Sequence, residues 1–412
     1  MSEVLIIGGG VIGVCTAYEL AKRGAKVSLI EQGEIGSGAS YGNGGLIVPS
    51  HCVPLAAPGV PLQGLKWMFN PESPFYIKPH FSFEFLEWML LFAYASRRGP
   101  MMRALPVLSE LLLSSRKIFD EIAKDGGFPF GYEQKGTLAV FLTQRALDKG
   151  LEEAHLVGGF GVETRSLNGT ELCELEPALR AEVAGGIHYP QDAHIDPAGF
   201  VIGLAEKARE LGVRILTHTE VMRFETEGRK INQVQTTRGD FTADQVILCA
   251  GAWSPAVLRE LEINLPIQAA KGYSITLETP EISPSYPLMF GEARVVVTPF
   301  NESLRLAGTL ELAGMDFSIQ SRRVDAIRTN SAKYLQGLDN AKVTEIWRGL
   351  RPCTPDGLPV VSRAKQFDNL IVAAGHAMLG MSLGPITGKL TSQLALGEDP
   401  EMDLAPLRLE RF

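Results

Sequence analysis

The segment EVLIIGGGVIGVCTAYELAKRGAKVSLIE, residues 3–31, carries the clearest architectural signal in this chain. Residues 3–7 form an apolar run that predicts a buried parallel strand, and residues 11–23 predict a helix that ends at Gly24. Residues 25–30 predict a second strand. Because one helix joins two strands within about thirty residues, the strands are expected to lie parallel with a right-handed crossover. The segment therefore predicts the start of a doubly wound α/β sheet.

Three glycines between the first strand and the helix have the spacing of a dinucleotide-binding loop, G-x-G-x-x-G. Gly8 allows the tight turn, Gly10 lets a pyrophosphate approach the backbone, and Gly13 lets helix and strand pack closely. Glu31 ends the second strand, where a carboxylate accepts hydrogen bonds from a ribose hydroxyl. The pattern predicts a bound adenine dinucleotide; the alternative is glycine-rich turn chemistry alone.

The segment after Glu31 bears on which dinucleotide is bound. A nicotinamide enzyme would normally resume strand and helix here, whereas this chain continues with small residues, GSGAS at 36–40 and NGGL at 43–46. Small side chains and free backbone amides suit a bulky ring system, and exposed amides form a nest for phosphate oxygens. The segment favours FAD. An ordinary flexible loop and a nicotinamide dehydrogenase are the alternatives.

Composition narrows the classes of partner. The chain has 412 residues, 45% hydrophobic and 21% charged, which is typical of a folded globular protein, and its net charge is −8. Since it has no dense basic block, a small molecule is expected as a partner and nucleic acid is not. The five cysteines are odd in number and form no C-x-x-C pair, which predicts neither a metal site nor a disulfide framework. A reducing, cytoplasmic location is expected.

An apolar stretch near residue 90 raises the question of membrane contact. Its longest purely apolar run, residues 89–95, is far shorter than the ~20 residues that span a bilayer, so no transmembrane span is predicted. Arg97, Arg98 and Arg103 follow this run, and an amphipathic helix with a basic flank can lie on a membrane surface. Two interpretations stay open: a helix packed on its own domain, or peripheral contact with the inner face of the cell membrane.

The rest of the chain alternates between two kinds of pattern. βα layering returns near residue 196 and again near the C-terminus, whereas the intervening helical and strand-rich stretches do not suit a nucleotide sheet. We therefore predict an FAD-binding domain from residues 1–50, 146–262 and 341–412. Residues 51–145 and 263–340 are predicted to form an interleaved α+β substrate-binding domain with a mainly antiparallel sheet.

Five further stretches complete a resemblance to a known family. They are AAPGVPLQGLKWMF (56–69), LPIQAAKGYSITL (265–277), RLAGTLELAGMD (305–316), WRGLRPCTPDGLPVV (347–361) and NLIVAAGHAMLG (369–380). With the N-terminal loop, they resemble the D-amino acid oxidase and glycine oxidase family of FAD-dependent amine oxidoreductases, above all its bacterial D-amino acid dehydrogenases of the small-subunit type. The likeness covers nearly the whole chain.

The resemblance implies an enzyme that holds FAD extended and covers the flavin with a sheet-rich domain. It implies oxidation of the Cα–N bond of a small D-amino acid, with electrons passed to a quinone or another carrier, or to dioxygen. Oxidation of a cyclic or secondary amine acid such as cis-4-hydroxy-D-proline, D-proline or sarcosine, or of glycine, is the alternative. A binding protein with a vestigial nucleotide fold is the alternative outside the enzymes.

Four side chains are candidates for the substrate chemistry. Arg351, in the sequence GLRP, matches the family's carboxylate-binding arginine, and a planar guanidinium holds a carboxylate through two parallel hydrogen bonds. Tyr273 is a candidate for contact with the carboxylate or amine, with a core tyrosine as the alternative. His51 and His376 are the histidines nearest the expected flavin segments. Each is a candidate proton acceptor or hydrogen-bond partner of the ring, with a packing role as the alternative.

The predicted cofactor contacts extend beyond the N-terminal loop. A glycine-rich turn before a helix that runs from residue 385 is expected to direct free amides at the reduced flavin, which is an anion. Gly251 and Gly375 occupy strand-to-helix turns, and Val221 matches the family position whose backbone meets adenine. The full set of predicted cofactor-binding residues is Gly8, Gly10, Val11, Ile12, Gly13, Glu31, Gln32, Ser37, Ser40, Asn43, Gly44, Gly45, Leu46, Val221, Gly251, Gly349, Gly375, Leu379, Gly380, Met381 and Ser382.

Overall fold

The computed structural model describes residues 2–67, 73–78, 82–125, 127–338 and 340–412, and for residues 65–67 the backbone alone. Met68 and Phe69 of the KWMF stretch lie outside the described residues. Over the described residues the strands are β1 (Glu3–Ile7), β2 (Lys26–Ile30), β3 (Leu46–Ile47), β4 (Phe75–Ile77), β5 (Thr137–Phe141), β6 (Arg165–Asn168), β7 (Gly185–Tyr189), β8 (Ala193–His194), β9 (Arg214–Leu216), β10 (Val221–Glu227), β11 (Lys230–Thr236), β12 (Gly239–Phe241), β13 (Gln245–Leu248), β14 (Gln268–Glu278), β15 (Leu288–Phe290), β16 (Val295–Phe300), β17 (Ser303–Leu312), β18 (Val343–Cys353), β19 (Val360–Arg363) and β20 (Leu370–Ala374). The helices are α1 (Val11–Lys22), α2 (Val60–Trp67), α3 (Phe83–Ala95), α4 (Arg98–Lys124), α5 (Gln144–Gly158), α6 (Gly169–Leu175), α7 (Pro197–Glu210), α8 (Ser254–Arg259), α9 (Ser321–Ser331) and α10 (Gly380–Leu396).

A six-stranded sheet is built on the N-terminal βαβ unit. Its strand order is β19-β20-β13-β1-β2-β9, and every neighbouring pair is parallel except β19 and β20. Helix α1 packs against α7 and α10, and the antiparallel ribbon β10-β11-β12 packs Phe224 and Val234 with Leu5 and Ile7. With both faces covered, β1 and β2 read as nearly continuous apolar runs. The predicted doubly wound sheet is confirmed.

A larger, nine-stranded sheet forms the second layer of the molecule. Its order is β18-β14-β17-β16-β15-β5-β7-β6, with β4 paired to β17. All of its pairings are antiparallel except β15 with β5 and β17 with β4. The expectation of a mainly antiparallel second sheet is therefore met.

Strand pairing crosses two of the predicted domain boundaries, and the domain limits themselves stay a prediction. β6 and β7 lie beyond residue 146 yet belong to the larger sheet, and β18 lies beyond residue 341 yet forms its edge. In the opposite direction, α4 falls in the predicted 51–145 segment but packs on α10, beside the six-stranded sheet. Short strands next to a helix look alike in either sheet, because the period of the apolar residues does not specify the pairing partner.

The chain passes between the two sheets several times. After β2 it runs through the glycine-rich segment to β3, which pairs with β8, and β18 returns the chain from the larger sheet toward β19 and β20. These crossings carry the chain from the six-stranded sheet to the larger sheet and back. Within the described residues, no helix combines the length and the apolar character that crossing a bilayer requires.

Candidate active site

A cavity of about 580 Å³ lies where the two sheets meet. Residues at or just after the carboxyl ends of β1, β2, β13 and β20 line one side, among them Ile7, Ile30, Cys249 and Ala374. Strands β14 and β18 of the larger sheet contribute to the other side. Ligands of open α/β sheets bind in the crevice at the carboxyl ends of the strands, so the cavity is the expected ligand site.

Steric contacts require glycine at two positions of the loop between β1 and α1. Gly8 has a φ of +113°, and a Cβ on it would lie 2.5 Å from the carbonyl oxygen of Cys249. A Cβ on Gly13 would lie 1.9 Å from the carbonyl oxygen of Gly8. The amide of Val11 donates to Ser40 Oγ at 3.1 Å. Because a helix has no internal acceptor for its first N–H groups, the start of α1 offers amides and a positive dipole end to a phosphate.

The carboxylate of Glu31 is held in a fixed orientation at the end of β2. The amide of Gly9 donates to Glu31 Oε2 at 2.7 Å, and the amide of Gly33 donates to Oε1 at 2.8 Å. A carboxylate oxygen has two acceptor positions, so each oxygen keeps one for a ligand hydroxyl. Glu31 lines the cavity and is therefore placed to bind a diol.

Exposed backbone forms part of the cavity wall. A Cβ on Gly251 would have no atom within 4 Å, and a Cβ on Gly10 would meet Ser40 Oγ at 3.6 Å. Both glycines line the cavity. The open space beside them lets a ligand contact the main chain directly.

Two arginines of β18, Arg348 and Arg351, line the cavity, and neither has an acidic partner among the described residues. Arg348 donates to the Phe317 carbonyl and lies over the Phe317 ring. Arg351 lies beside Gly272 of β14, and its Nη1 donates to the carbonyl oxygen of Thr309 at 2.9 Å. Burial lowers the pKa of its guanidinium, and no described carboxylate lies within ion-pair distance of it. Thr309 has a φ of +60°, which is strained for a β-branched residue. A desolvated cation without a counter-ion in the protein is suited to an anionic ligand.

Tyr273 lines the cavity, but most of its ring is held in the larger sheet. Gly272 faces Arg351, and successive residues of a strand point to opposite faces. The Tyr273 ring accordingly packs in the core of the larger sheet with Ile275. Its hydroxyl lies 3.5 Å from the carbonyl oxygen of Ser318 and accepts from the amide of Gln320 at 3.3 Å. These contacts suit the alternative of a core tyrosine, and the predicted contact with substrate stays a prediction.

The two candidate histidines occupy different environments. His376 lines the cavity, and its Nε2 lies 3.0 Å from Thr387 Oγ1. Burial lowers the pKa of His376 to about 3, so the ring is neutral at neutral pH and is a weak proton acceptor. His51 is exposed in the short turn Pro49–His51 and does not belong to the cavity wall. The structure therefore leaves His376 a hydrogen-bonding role and separates His51 from the wall.

Most of the predicted cofactor-binding residues line the cavity: Gly8, Gly10, Val11, Ile12, Glu31, Gln32, Ser37, Ser40, Asn43, Gly44, Val221, Gly251, Gly349, Gly380 and Met381. The others lie behind the wall: Gly13, Gly45, Leu46, Gly375, Leu379 and Ser382. Ser382 shows why, because its Oγ donates to the Leu46 carbonyl at 2.9 Å and accepts from the Val48 amide at 3.2 Å. It ties α10 to β3 and supports the site from outside.

The sequence interpretation missed the aromatic side chains of the site. A Cβ on Gly42 or on Gly349 would lie 2.1 Å from the Trp347 indole, so this ring packs against both glycines. Trp253 and Phe317 also line the cavity, with ring centroids 6.1 Å apart. Trp347 precedes Arg351 by four residues on one strand, so the period of two residues places both on the same face. That spacing is a signal from which Trp347 could have been found.

The donor set of the cavity fits FAD. Glu31 would hold the ribose diol and the first-turn amides of α1 the pyrophosphate, as in other dinucleotide sites. The glycine-rich wall from Gly42 to Gly44 would leave room for the flavin ring. Arg351 is then left for an anionic substrate.

Comparison with known proteins agrees with this geometry. Residues 3–394 match the model of the family described as FAD dependent oxidoreductase, DAO. The chain is 32% identical to the D-amino acid dehydrogenase of Vibrio atlanticus (strain LGP32), with 100% of both chains covered. It is 33% identical to that of Cereibacter sphaeroides (strain ATCC 17029 / ATH 2.4.9), with 100% of this chain and 95% of the relative covered.

Solved structures give the same result for the fold. Glycine oxidase from Geobacillus kaustophilus is similar with a TM-score of 0.82 at 25% identity, and 100% of both chains is covered. L-proline dehydrogenase from P. horikoshii has a TM-score of 0.79 at 21% identity, with 100% of this chain and 97% of that one covered.

Proposed function

Because this chain belongs to the DAO family of FAD-dependent oxidoreductases and its cofactor is FAD, we propose that it oxidises the Cα–N bond of a small D-amino acid. The observation that carries the proposal is Arg351, a desolvated cation in the cavity wall that no described carboxylate neutralises. The names of the curated relatives support the D configuration of the substrate. FAD as the cofactor and the class of oxidoreductase were both predicted from the sequence and are confirmed.

The proposed reaction removes two electrons and the Cα hydrogen from the neutral form of the amine. FAD supplies the two-electron acceptor for the hydride. The amine loses one proton and becomes an imine, and water hydrolyses the imine to a keto acid and ammonia when the nitrogen is primary. Transfer of this kind depends mainly on the alignment of donor and acceptor.

The residues of the chain provide that alignment. Arg351 binds the carboxylate, and the carbonyl oxygen of Thr309 holds one arm of the guanidinium in place. Gly272 leaves the space that the guanidinium occupies, since a Cβ there would lie 1.9 Å from Arg351 Nη1. His376 stays neutral and donates or accepts a hydrogen bond at Nε2. Because burial lowers the pKa of His376 to about 3, this ring is not expected to hold the ammonium proton of the substrate.

Reduction of the bound FAD by candidate substrates tests the proposal. Purified holoenzyme is mixed without oxygen with D-alanine, L-alanine and a panel of larger D-amino acids, and loss of the visible flavin absorption is followed. The proposal expects bleaching with D-alanine or another small D-amino acid and none with L-alanine. No bleaching with any D-amino acid, or an equal rate with both enantiomers, would overturn it.

A second candidate is oxidation of glycine or of a secondary or cyclic amine acid. The similarity to glycine oxidase over the full chain favours it, and Arg351 binds the carboxylate of any such substrate equally well. The same panel distinguishes the two when it includes glycine, sarcosine, D-proline and cis-4-hydroxy-D-proline. A kcat/KM highest for one of these four would favour the second candidate.

We further propose that the electron acceptor is a quinone or another membrane-associated carrier, reached through contact of α3 with the inner face of the membrane. Phe83, Leu86, Leu90 and Tyr94 are 80%, 58%, 65% and 56% exposed and recur at helical spacing. Exposed Arg97 and Arg98 follow at the end of the helix, and basic side chains beside an apolar stripe complement anionic lipid headgroups.

Vesicle binding and acceptor choice test this part separately. The protein should sediment with phosphatidylglycerol vesicles and much less with neutral phosphatidylcholine vesicles. The variant Leu86→Ser with Leu90→Ser should lose sedimentation, whereas the matched variant Leu211→Ser with Ile282→Ser, at exposed positions elsewhere, should retain it. Equal binding by both variants would contradict the contact. Turnover with dioxygen as fast as with a quinone analogue would contradict the proposed acceptor.

A further inference from the structure

The glycine-rich segment of the cofactor site lies directly on the larger sheet. A Cβ on Gly44 would be 3.6 Å from Val296 Cγ1 and 3.7 Å from Ala307 Cβ, and one on Gly42 would meet the Trp347 ring. These contacts come from β16, β17 and β18. One sheet therefore supplies the surface on which a loop of the other domain rests.

Two side chains of that surface bond the carbonyl groups of the loop. Arg305 Nη1 donates to the Asn43 carbonyl at 3.0 Å and lies 3.5 Å from the Tyr41 carbonyl. Thr298 Oγ1 donates to the Gly44 carbonyl at 2.6 Å. Both donors are buried, so water does not compete for these carbonyls.

Arg305 is itself held in a fixed position. Its Nε donates to Thr276 Oγ1 at 3.2 Å, and its guanidinium lies over the ring of Phe300, 5.1 Å from the centroid. Its Nη2 is 3.9 Å from the carboxylate of Glu345. Because β14, β16 and β18 each contribute one of these contacts, the guanidinium is oriented by the sheet and not by the loop that it binds.

The planar peptide bond converts carbonyl orientation into amide orientation. In a trans peptide the N–H of the next residue points opposite to the carbonyl. With the carbonyls of Tyr41 and Asn43 directed at Arg305, the amides of Gly42 and Gly44 point away from the sheet. Neither amide has a hydrogen-bond acceptor among the described residues, and both glycines line the cavity. Unpaired buried amides are costly, so a ligand acceptor is expected for them.

We propose that Arg305 and Thr298 are positioning residues for FAD. Arg305 orients the peptides whose Gly42 and Gly44 amides donate to the cofactor. Thr298 fixes the next peptide, whose Gly45 amide donates to Asn43 Oδ1, so that the loop keeps this conformation. The inference rests on FAD as the cofactor and adds a role for the substrate-side sheet in binding it. Fixed donors need no reorganisation when electron density on the cofactor increases, so they also favour its reduced form.

Thr298 gives a test that conserves side-chain shape. Thr298→Val removes the hydroxyl and keeps the volume, whereas Thr298→Ser keeps the hydroxyl. Apoprotein is titrated with FAD, and the dissociation constant is read from quenching of flavin fluorescence. Loss of one buried hydrogen bond is expected to weaken FAD binding about fivefold in Thr298→Val. Thr298→Ser should stay close to the native protein.

Arg305 gives a larger expected effect and has a matched control. Arg305→Met should weaken FAD binding at least about tenfold, because charge-assisted bonds contribute more than neutral ones. Arg305→Lys should recover part of the loss. Arg180→Met is the control: Arg180 Nε also donates to a backbone carbonyl, that of Ala332, at 2.7 Å, but Arg180 is not part of the cavity wall. It should change thermal stability and not FAD affinity.

The reduction potential of the bound FAD separates positioning from general loss of stability. It should become more negative in Thr298→Val and stay unchanged in Thr298→Ser and Arg180→Met. Folded Thr298→Val protein that binds FAD with native affinity and native potential would overturn the inference; if Arg305→Met does not fold, the two Thr298 variants decide alone. The titration requires no substrate, so a failure to oxidise D-amino acids would overturn the proposed function and leave this result unaffected.

Discussion

Arg351 is a cation for which the described protein supplies no anion, and this property explains its place in the site. Two buried cations nearby, Lys271 of β14 and Arg323 of α9, both pair with Glu311, at 3.4 and 3.1 Å. Arg351 is bonded to a neutral carbonyl instead. The cost of its desolvation is thus offset when a substrate carboxylate binds.

Replacing Arg351 should therefore damage substrate binding and spare the cofactor. Arg351→Leu is expected to lower kcat/KM, with a loss of about 3–5 kcal/mol of transition-state stabilisation, since the substrate carboxylate would be buried without a partner. Arg351→Lys should lose less, because it keeps the charge and loses the planar fork. Steady-state kinetics on the best substrate and FAD titration of the apoprotein measure the two effects. Native kcat/KM in Arg351→Leu would place the carboxylate site elsewhere.

The position of the Arg351 guanidinium can be shifted without changing its charge. A Cβ on Gly272 would lie 1.9 Å from Nη1, so Gly272→Ala must displace the end of the Arg351 side chain. Small misplacements of a binding group are costly, and KM is expected to rise about tenfold or more. The visible spectrum of bound FAD should be unchanged. An unaltered KM would mean that the guanidinium does not contact substrate.

At the level of single residues, the sequence identified Arg351 through its motif, but it did not show which face of its strand each neighbouring side chain occupies. Tyr273 follows Gly272 directly, so the two must point to opposite sides of β14, yet nothing in the sequence says which side meets the cavity. Trp347 shares a face with Arg351, but that inference first needs β18 to be a strand of the larger sheet. The alternation along a strand shows which side chains share a face, but only the folded sheet shows which of the two faces meets the cavity.

Among the secondary-structure elements, the contact of α1 with α10 determines how the phosphate-binding end of α1 is supported. The two helices approach so closely that a Cβ on Gly388 would lie 2.6 Å from the backbone carbonyl carbon of Cys15. Gly384 faces Val11 and the sulfur of Cys15 in the same interface. Small residues on α10 therefore allow α1 to begin where the cavity requires its amides.

Adding a methyl group to this interface should destabilise the protein. Gly388→Ala is expected to cost about 1–3 kcal/mol of unfolding free energy, because the group that it meets is backbone and cannot rotate away. The matched control is Gly158→Ala at the end of α5, where a Cβ would meet nothing within 4 Å; there alanine should stabilise by up to about 1 kcal/mol. Urea unfolding of both variants measures the difference, and equal stability would contradict such close helix packing.

The positions of helices and strands with strong periodic patterns were predicted better than the pairing of the strands into sheets. β1, α1 and β2 match the predicted unit closely. The sheet to which β6, β7 and β18 belong was not predicted, because pairing joins residues far apart in sequence. β18 pairs along its length with β14, for example Arg351 with Ala270, and only the folded chain brings those strands together.

For the molecule as a whole, the cavity depends on both sheets. The six-stranded sheet supplies the glycine loop and Glu31, and the larger sheet supplies Arg351 and the surface under Gly42 and Gly44. The glycine motif was enough to predict the first sheet and a bound adenine dinucleotide, because the chemistry of phosphate binding is local. The choice of FAD needed the small residues after Glu31 and the family resemblance. The second sheet was predicted from strand content and from a resemblance. Its contacts with the glycine-rich loop could not be predicted from the sequence.

Removing FAD should therefore weaken both layers together. A ligand that binds the folded state alone stabilises it by about 2.7 kcal/mol at a hundredfold excess over its dissociation constant. We expect the apoprotein to unfold at a lower temperature than the holoprotein, and FAD, but not NADH, to restore the difference. Hydrogen exchange with and without FAD locates the effect: amides of residues 36–45 should be slowed together with those of β14 and β18, whereas those of β6 should change little. Protection confined to the six-stranded sheet and its loop would contradict a cofactor site built by both sheets. In that case β14 and β18, which hold Arg351 and contact the loop, would not respond to FAD in the cavity.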